Sequence, residues 1–212
     1  MNAAEYKDYI ETGRLLFARP VEFMLSVVSL DQLPPANLPE VCFAGRSNVG
    51  KSSLINALTN QKGLARASNT PGRTRELNYF NASDRIRLVD LPGYGYARAS
   101  KADIARWTKL TREFLAGRVG LRRVFLLIDS RHGLKDGDKD IMSMLDETAV
   151  IYQIILTKID KLKKDELEKV TRKTQTAIAK RPAAHPDIIS TSSAKKKGLE
   201  IIRAEIGTLA NP

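Results

Sequence analysis

The sequence predicts an α/β fold with a mostly parallel sheet of six strands and helices on both of its faces. From residue 39 onward, short apolar segments alternate with longer segments in which apolar residues recur every three or four positions, and this alternation indicates repeated strand–helix units. The segments 124–129 and 150–156 are almost continuously apolar, as expected of parallel strands that are covered on both faces. A glycine-rich turn separates the first strand of this series from its first helix.

The individual elements follow from the same patterns. Residues 1–38 are interpreted as an N-terminal extension, because Pro34, Pro35 and Pro39 interrupt the chain before the alternation starts. Residues 39–212 are predicted to form one domain whose strands are short apolar runs and whose helices show a 3.6-residue period. Its predicted elements are strand 41–44, helix 51–60, strands 77–80 and 86–90, helix 98–117, strand 124–129, helix 138–147, strand 150–156, helix 163–181, a strand from residue 188 and a last helix with Leu199, Ile202, Ile206 and Leu209 on one face.

Composition excludes several classes of function. With one cysteine and two histidines, the chain has too few groups for a zinc site or a Cys/His dyad, and Cys42, which lies in an apolar run, is expected to be a buried thiol. The N-terminus is acidic where a signal peptide would be basic, and no apolar run reaches the ~20 residues that span a bilayer. We therefore expect a cytoplasmic protein without a membrane partner. The formal net charge of +11 favours a polyanionic partner, RNA in particular.

The glycine-rich turn matches the phosphate-binding loop (P-loop) pattern G-x-x-x-x-G-K-[ST] and lies between a strand and a helix, as that loop requires. Glycines let successive backbone N–H groups point at phosphate oxygens, and the helix N-terminus adds positive charge. Lys51 is expected to neutralise the β- and γ-phosphates, and the Ser52 hydroxyl to ligate Mg²⁺. The residues of this loop are Gly45, Arg46, Ser47, Asn48, Val49, Gly50, Lys51 and Ser52.

Two further segments predict which base is bound. Thr157-Lys158-Ile159-Asp160 ends the strand candidate 150–156, and a carboxylate there can accept hydrogen bonds from guanine N1–H and the exocyclic amine. Adenine offers no such pair of donors, so Asp160 would be left unpaired against ATP. The stem of Lys158 can lie along the base. A second base contact is expected after the last strand, from the small residues Thr191, Ser192 and Ser193.

The segment Asp90-Leu91-Pro92-Gly93 follows the strand candidate 86–90 and predicts a magnesium and γ-phosphate site. Asp90 is expected to hold Mg²⁺ through water, and the Gly93 N–H to contact the γ-phosphate. A threonine between the P-loop and Asp90 should complete the metal site, and both Thr70 and Thr74 qualify by position.

Many GTPases carry a glutamine after D-x-x-G that orients the attacking water, and here that position is Tyr94. We therefore expect slow intrinsic hydrolysis that depends on groups elsewhere. The side-chain oxygen of Asn48 is a candidate ligand for K⁺ beside the phosphates, although it can equally be a loop residue without this role. Arg73 and Arg75 are other candidate charge stabilisers, or else ordinary solvated or RNA-facing arginines.

These motifs together resemble the EngB (YihA/YsxC) family of bacterial Era-like, TrmE-related GTPases, which have a single P-loop (Ras-like) GTPase domain. The resemblance covers the chain from about residue 20 to its end. The segments that carry it are FAGRSNVGKSSLIN at 43–56, TPGRT at 70–74, DLPGYGY at 90–96, IDSRHGL at 128–134 and LTKIDKL at 156–162.

The resemblance implies more than the spacing does. It favours Thr74 over Thr70 as the Mg²⁺ ligand and places Gly72, Arg73, Thr74, Arg75 and Glu76 near GTP or GDP. With the P-loop residues, this gives Lys51, Asn48 and Thr74 as the candidate catalytic residues. The resemblance also implies a GTPase that acts in assembly of the large ribosomal subunit, on precursor rRNA and ribosomal proteins, and is needed for cell division and septation. We expect a monomer. Two alternatives stay open: a nucleotide-gated scaffold of the division machinery with incidental hydrolysis, and an ATP-using P-loop enzyme.

Overall fold

The structure is a computed structural model that describes residues 2–65, 76–95 and 101–210, with the backbone alone at 101–104, 106 and 107. The strands are β1 (Glu22–Val27), β2 (Glu40–Gly45), β3 (Leu77–Ala82), β4 (Ile86–Asp90), β5 (Leu121–Asp129), β6 (Tyr152–Thr157) and β7 (Ile189–Ser190). The helices are α1 (Ala3–Leu16), α2 (Lys51–Thr59), α3 (Lys101–Gly117), α4 (Asp136–Glu147), α5 (Lys164–Ile178) and α6 (Leu199–Leu209). Within this described part of the chain, no helix is long and apolar enough to cross a membrane.

The seven strands form one sheet in the order β1-β3-β4-β2-β5-β6-β7. Strands β4, β2, β5, β6 and β7 run parallel, whereas β3 is antiparallel to both β4 and β1. The chain leaves β2 towards β3 and β4 on one side, then crosses from β4 to β5 on the other side of β2. The order of strands therefore reverses between β2 and β5, and ligands of open α/β sheets bind beside such a reversal, at the carboxyl ends of the strands.

The predicted α/β class with helices on both faces is confirmed, but the sheet formed by the described residues has seven strands where six were predicted. The extra strand, β1, lies within residues 1–38 and pairs with β3 at the edge of the sheet, with an irregularity between Phe23 and Leu25. Most of its residues are exposed, so it lacks the buried apolar run that marks the central strands. The same segment contains α1. The boundary at residue 38 stays a prediction about domain organisation.

Two apolar clusters cover the two faces of the sheet, because successive residues of a strand point to opposite sides. Along β2, Val41 and Phe43 contribute to the cluster that includes α1, α2 and α6. Cys42 and Ala44 contribute to the cluster that includes α3, α4 and α5. Cys42 is a free, buried thiol, as predicted, and burial raises its pKa well above the usual value.

Helix α1 is held on the domain by a close approach to α6. A Cβ atom on Gly13 would lie 2.3 Å from the backbone nitrogen of Ala204, and one on Gly207 would lie 2.9 Å from the nitrogen of Gly13. Next to this contact, the Tyr9 hydroxyl donates to Glu205 Oε1 at 2.9 Å. Since the two backbones touch, α1 can pack here only while position 13 lacks a side chain.

We expect Gly13→Ala to push α1 away from α6 and to lower the free energy of unfolding by about 1–3 kcal/mol, the usual cost of overpacking. Urea denaturation followed by circular dichroism measures this change. The matched control is Gly117→Ala at the end of α3, where a Cβ meets nothing within 4 Å. That change should be neutral or stabilising by up to roughly 1 kcal/mol. Equal midpoints for the two variants would contradict the packing argument.

Candidate functional site

The loop between β2 and α2 is a tight turn whose conformation is set by two residues with left-handed backbone. Asn48 has φ 62° and Gly50 has φ 105°. Val49 N donates to Arg46 O at 3.1 Å, and Leu54 N donates to Gly50 O at 2.8 Å, which starts α2. The turn therefore leads into the N-terminus of a helix, where free N–H groups and the helix dipole favour an anion.

The first residue of α2 makes a buried ion pair with the last residue of β4. Lys51 and Asp90 are 9% and 3% exposed, and the Lys51 ammonium contacts Asp90 Oδ1. Asp90 is the register partner of Phe43, two residues before the turn. Ser52, the predicted metal ligand, follows Lys51 in the first turn of α2. The structure thus brings the predicted phosphate-binding lysine and the predicted metal-site carboxylate into contact.

The segment after β4 runs along the same turn. Leu91 N donates to Phe43 O at 3.0 Å, Tyr94 N donates to Gly45 O at 3.3 Å, and Ser47 N donates to Tyr94 O at 2.9 Å. These bonds continue the pairing of β4 with β2 beyond the strand ends. Leu91, Pro92 and Gly93 are therefore held beside the P-loop by bonds at both ends of the segment.

The side chain of Tyr94 points into the protein. Its hydroxyl donates to Asp138 Oδ1 at 2.7 Å, and Asp138 Oδ2 accepts from Lys135 N at 2.8 Å in the first turn of α4. Burial raises the pKa of both Tyr94 and Asp138 above their usual values. The phenol is thus hydrogen-bonded to a residue of α4 and points into the protein, whereas a water-orienting side chain would point towards solvent.

Asp160 and Ser192, predicted from separate segments, lie together. The Ser192 hydroxyl donates to Asp160 Oδ1 at 2.6 Å, and Lys161 Nζ lies 3.5 Å from Asp160 Oδ2. The hydrogen bond from Ser192 lowers the pKa of Asp160 below its usual value. Thr191 N donates to Leu156 O at 2.8 Å, and this bond holds the second segment against the end of β6.

The same region is bonded directly to the P-loop. Thr157 Oγ1 donates to Val49 O at 2.8 Å. Lys158 Nζ donates to Asn48 O at 2.5 Å and to Asp129 Oδ2 at 2.9 Å. The predicted base-reading and phosphate-binding segments are thus one connected site at the carboxyl ends of β2, β4 and β6, with Ile159 between Lys158 and Asp160.

Asp129, at the end of β5, was not predicted as a site residue. Burial alone would raise the pKa of Asp129, but hydrogen bonds from Arg131 and Lys158 outweigh it and lower the pKa well below its usual range. A cleft of about 200 Å³ lies beside it, lined by residues 46–49, by the end of β5 at 127–129 and by residues 131–133 after it. The signal that could have identified Asp129 is its position, since a carboxylate ends the parallel strand next to β2 and β6.

Several predicted site residues lie outside the described part of the chain. They are Thr70, Gly72, Arg73, Thr74 and Arg75. Glu76, the last residue of that predicted group, directly precedes β3.

Comparisons with known proteins agree with this geometry. Residues 40–159 match a family model described as a 50S ribosome-binding GTPase. The chain is 56% identical over 205 residues to the probable GTP-binding protein EngB of Caulobacter vibrioides, covering 96% of this chain and 90% of the relative.

Solved structures show the same fold at low sequence identity. A probable GTP-binding protein EngB matches with a TM-score of 0.64 at 22% identity, over 81% of this chain and 98% of that one. The structure of Era in complex with MgGDPNP and part of 16S ribosomal RNA matches with a TM-score of 0.63 at 21% identity, over 81% of this chain and 56% of that one.

Proposed function

The chain belongs to the EngB family of GTP-binding proteins and is a GTPase, and from this premise we propose that it is a slow switch that acts on the large ribosomal subunit during its assembly. The observation that carries the nucleotide part of this proposal is the contact of Asp160 with Ser192 in a site bonded to the P-loop. A carboxylate held ionised at that place suits the paired donors of guanine and disfavours adenine.

The proposed nucleotide site joins four segments. Asp160 accepts from the guanine edge, Lys158 lies along the base, and the N–H groups of the P-loop surround the phosphates. Gly93 contacts the γ-phosphate. The full proposed set is Gly45, Arg46, Ser47, Asn48, Val49, Gly50, Lys51, Ser52, Gly72, Arg73, Thr74, Arg75, Glu76, Asp90, Leu91, Pro92, Gly93, Thr157, Lys158, Ile159, Asp160, Thr191, Ser192 and Ser193.

The oxygen donors of this site fit Mg²⁺, which prefers hard oxygen ligands together with phosphate. Asp90 is a buried carboxylate beside Lys51, and Ser52 supplies a hydroxyl in the next position of α2. We expect Ser52 and Thr74 to hold the ion directly and Asp90 through water; when bound, it would neutralise charge on the β- and γ-phosphates. Lys51 would then exchange part of its contact with Asp90 for phosphate oxygens.

We expect Asp160→Asn to weaken GTP binding on the order of 100-fold, because the amide cannot accept both guanine donors. The same change should improve binding of xanthine nucleotides, whose carbonyl can accept from the amide. Isothermal titration calorimetry with GDP, XDP and ADP, which differ only in the base, measures the preference of each variant for guanine over xanthine and adenine. Asp165→Asn, at an exposed carboxylate in the first turn of α5, is the matched control. An unchanged preference for guanine in Asp160→Asn would refute this assignment of the base-reading residue.

Hydrolysis is proposed to be slow because Tyr94 replaces the water-orienting glutamine and its phenol is bonded to Asp138. Charge stabilisation must then come from other groups, with Lys51, Asn48 and Thr74 as the proposed catalytic residues. A cation held by the side chain of Asn48 beside the phosphates would supply such charge. Arg73 and Arg75 remain alternatives.

If Asn48 helps to hold K⁺, single-turnover GTP hydrolysis should be faster in K⁺ than in Na⁺ on the order of tenfold, equivalent to about 1.4 kcal/mol of barrier. Asn48→Gly removes the side chain and still adopts the left-handed backbone, so it should abolish this difference while GDP affinity stays within a few-fold, because the bond to Lys158 uses the backbone carbonyl. The measurement is phosphate release at matched ionic strength. Equal rates in the two salts would remove the cation from the mechanism.

The proposed partner is the large ribosomal subunit or its precursors. Support comes from the description of the matching family model and from the net charge of +11. The turn after Ser193 adds a local feature, because Lys195, Lys196 and Lys197 are exposed there and backbone bonds between Ser192 and Lys197 fix its shape. A role in cell division and septation is proposed on family grounds. Its alternative is a nucleotide-gated scaffold of the division machinery.

We expect the protein to co-sediment with large-subunit particles more strongly with a non-hydrolysable GTP analogue than with GDP. Changing Lys195, Lys196 and Lys197 together to Gln should make binding less dependent on salt. The slope of log K against log salt concentration should become shallower by about one unit for each of these lysines that contacts a phosphate. The control changes Lys164, Lys169 and Lys173 of α5 to Gln, which alters the net charge equally. Nucleotide-independent sedimentation would argue against the switch, and equal salt dependences for the two triple variants would exclude the turn as the contact.

A further inference from the structure

The ammonium of Lys158 is shared between two loops. It donates to Asn48 O of the P-loop at 2.5 Å and to Asp129 Oδ2 at the end of β5 at 2.9 Å. Lys158 itself has a left-handed backbone with φ 59°, and 28% of its side chain is exposed. Its stem passes the P-loop, since a Cβ atom on Gly50 would lie 3.7 Å from Lys158 Cε. The course of this side chain is therefore defined at its charged end by Asn48 and Asp129.

Asp129 is well placed to hold Lys158 because it is itself fixed. Arg131 donates from Nε to Asp129 Oδ1 at 2.9 Å, from Nη2 to Oδ2 at 2.7 Å, and from its backbone nitrogen to Oδ1 at 3.1 Å. The Asp129 side chain is 13% exposed. In the sheet, Asp129 is the register partner of Thr157, the residue before Lys158. Oδ2 thus lies between the Arg131 guanidinium and the Lys158 ammonium. If the charge of Asp129 were removed, these two cations would remain close together without an anion between them.

We propose that Asp129 is a positioning residue for guanine-nucleotide binding, which acts through Lys158 and does not touch the nucleotide. By anchoring the ammonium, Asp129 keeps the Lys158 stem where the base is expected to lie, and it keeps the ammonium on the carbonyl of Asn48. The charge of the carboxylate is what this role requires, since an amide of the same shape offers Lys158 a weaker acceptor. This inference rests on the proposed function, because it assumes that Lys158 lies along the base.

A competing explanation is that Asp129 only stabilises the loop through Arg131. The two explanations differ in how mutations combine, because residues that act through one another are not additive. If Asp129 works through Lys158, removing the charge of Asp129 should lower GDP affinity only while the lysine is present. If it works through Arg131, its effect should persist without the lysine.

The test is a double-mutant cycle in GDP affinity on the full chain, with Asp129→Asn, Lys158→Met and the double variant. We expect Asp129→Asn to weaken GDP binding on the order of tenfold in the wild-type background, through faster dissociation, and less than twofold in the Lys158→Met background. A second cycle with Arg131→Met should show that Asp129→Asn still weakens binding without the arginine. An equal loss in the presence and absence of Lys158, or no loss in either, overturns the inference.

Two controls keep this result interpretable. Urea denaturation of each variant reports its folding, and if Asp129→Asn does not fold, Asp129→Glu replaces it. The longer side chain of that variant keeps the charge but moves it by one methylene away from its place beside the Lys158 ammonium, so GDP affinity should fall roughly two- to fivefold with the unfolding midpoint unchanged. Unchanged affinity in Asp129→Glu would also count against the inference. A wild-type protein that does not bind GDP would refute the proposed function itself, whereas wild-type binding that Asp129→Asn matches would refute only the role of Asp129.

Discussion

The site depends on one constraint, which is that the P-loop must turn its N–H groups inward and therefore has carbonyl groups that need partners elsewhere. Gly45 O accepts from Tyr94 N, and Arg46 O accepts from Val49 N within the turn. Asn48 O accepts from Lys158, and Val49 O accepts from the Thr157 hydroxyl. These last two donors come from the segment that also carries Asp160. The residues proposed to read the base are thus the residues that complete the phosphate-binding turn, so the two functions are built as one unit.

The backbone and the side chain of Tyr94 serve different parts of the structure. Its backbone follows the D-x-x-G segment and is hydrogen-bonded to the P-loop twice, with Tyr94 N donating to Gly45 O and Tyr94 O accepting from Ser47 N. Its side chain points into the protein and makes a buried hydrogen bond to Asp138, whose other carboxylate oxygen accepts from Lys135 N at the start of α4. A buried carboxylate with too few donors is costly, so the phenol stabilises the junction of the P-loop, the segment after β4 and α4. In the proposed mechanism, the chemistry that the glutamine performs in other GTPases comes from groups nearer the phosphates.

Much of the fold and part of the site could be predicted from the sequence, and the exceptions have physical reasons. Strands β5 and β6 are buried on both faces, so their composition alone marks them. Strand β1 lies at an edge and is mostly exposed, and α1 depends on the contact of Gly13 with α6, which no local pattern records. Asp160 could be proposed from the sequence because its motif is local. Asp129 could not, because its contact with Lys158 forms only when folding brings the two together from neighbouring strands.

The two ends of the sheet use buried charge in opposite ways. At the amino end of β2, Glu40 is 0% exposed and accepts from Arg118 at 2.8 and 2.5 Å. Arg118 also donates to Pro34 O at 2.8 Å, and Arg87 pairs with Glu40 while it bonds Asn37. That network ties the segment before β2 to the sheet and leaves little for a ligand to contact. At the carboxyl ends, under the proposed function, a polyphosphate can compete with Asp90 for the Lys51 ammonium, whereas Lys158 stays on Asp129 and on Asn48 O. A cation whose partner can be exchanged is a binding group, and one held by several acceptors is a structural one; the fold places the exchangeable pair of Lys51 and Asp90 at the carboxyl ends of the strands, where a ligand can enter.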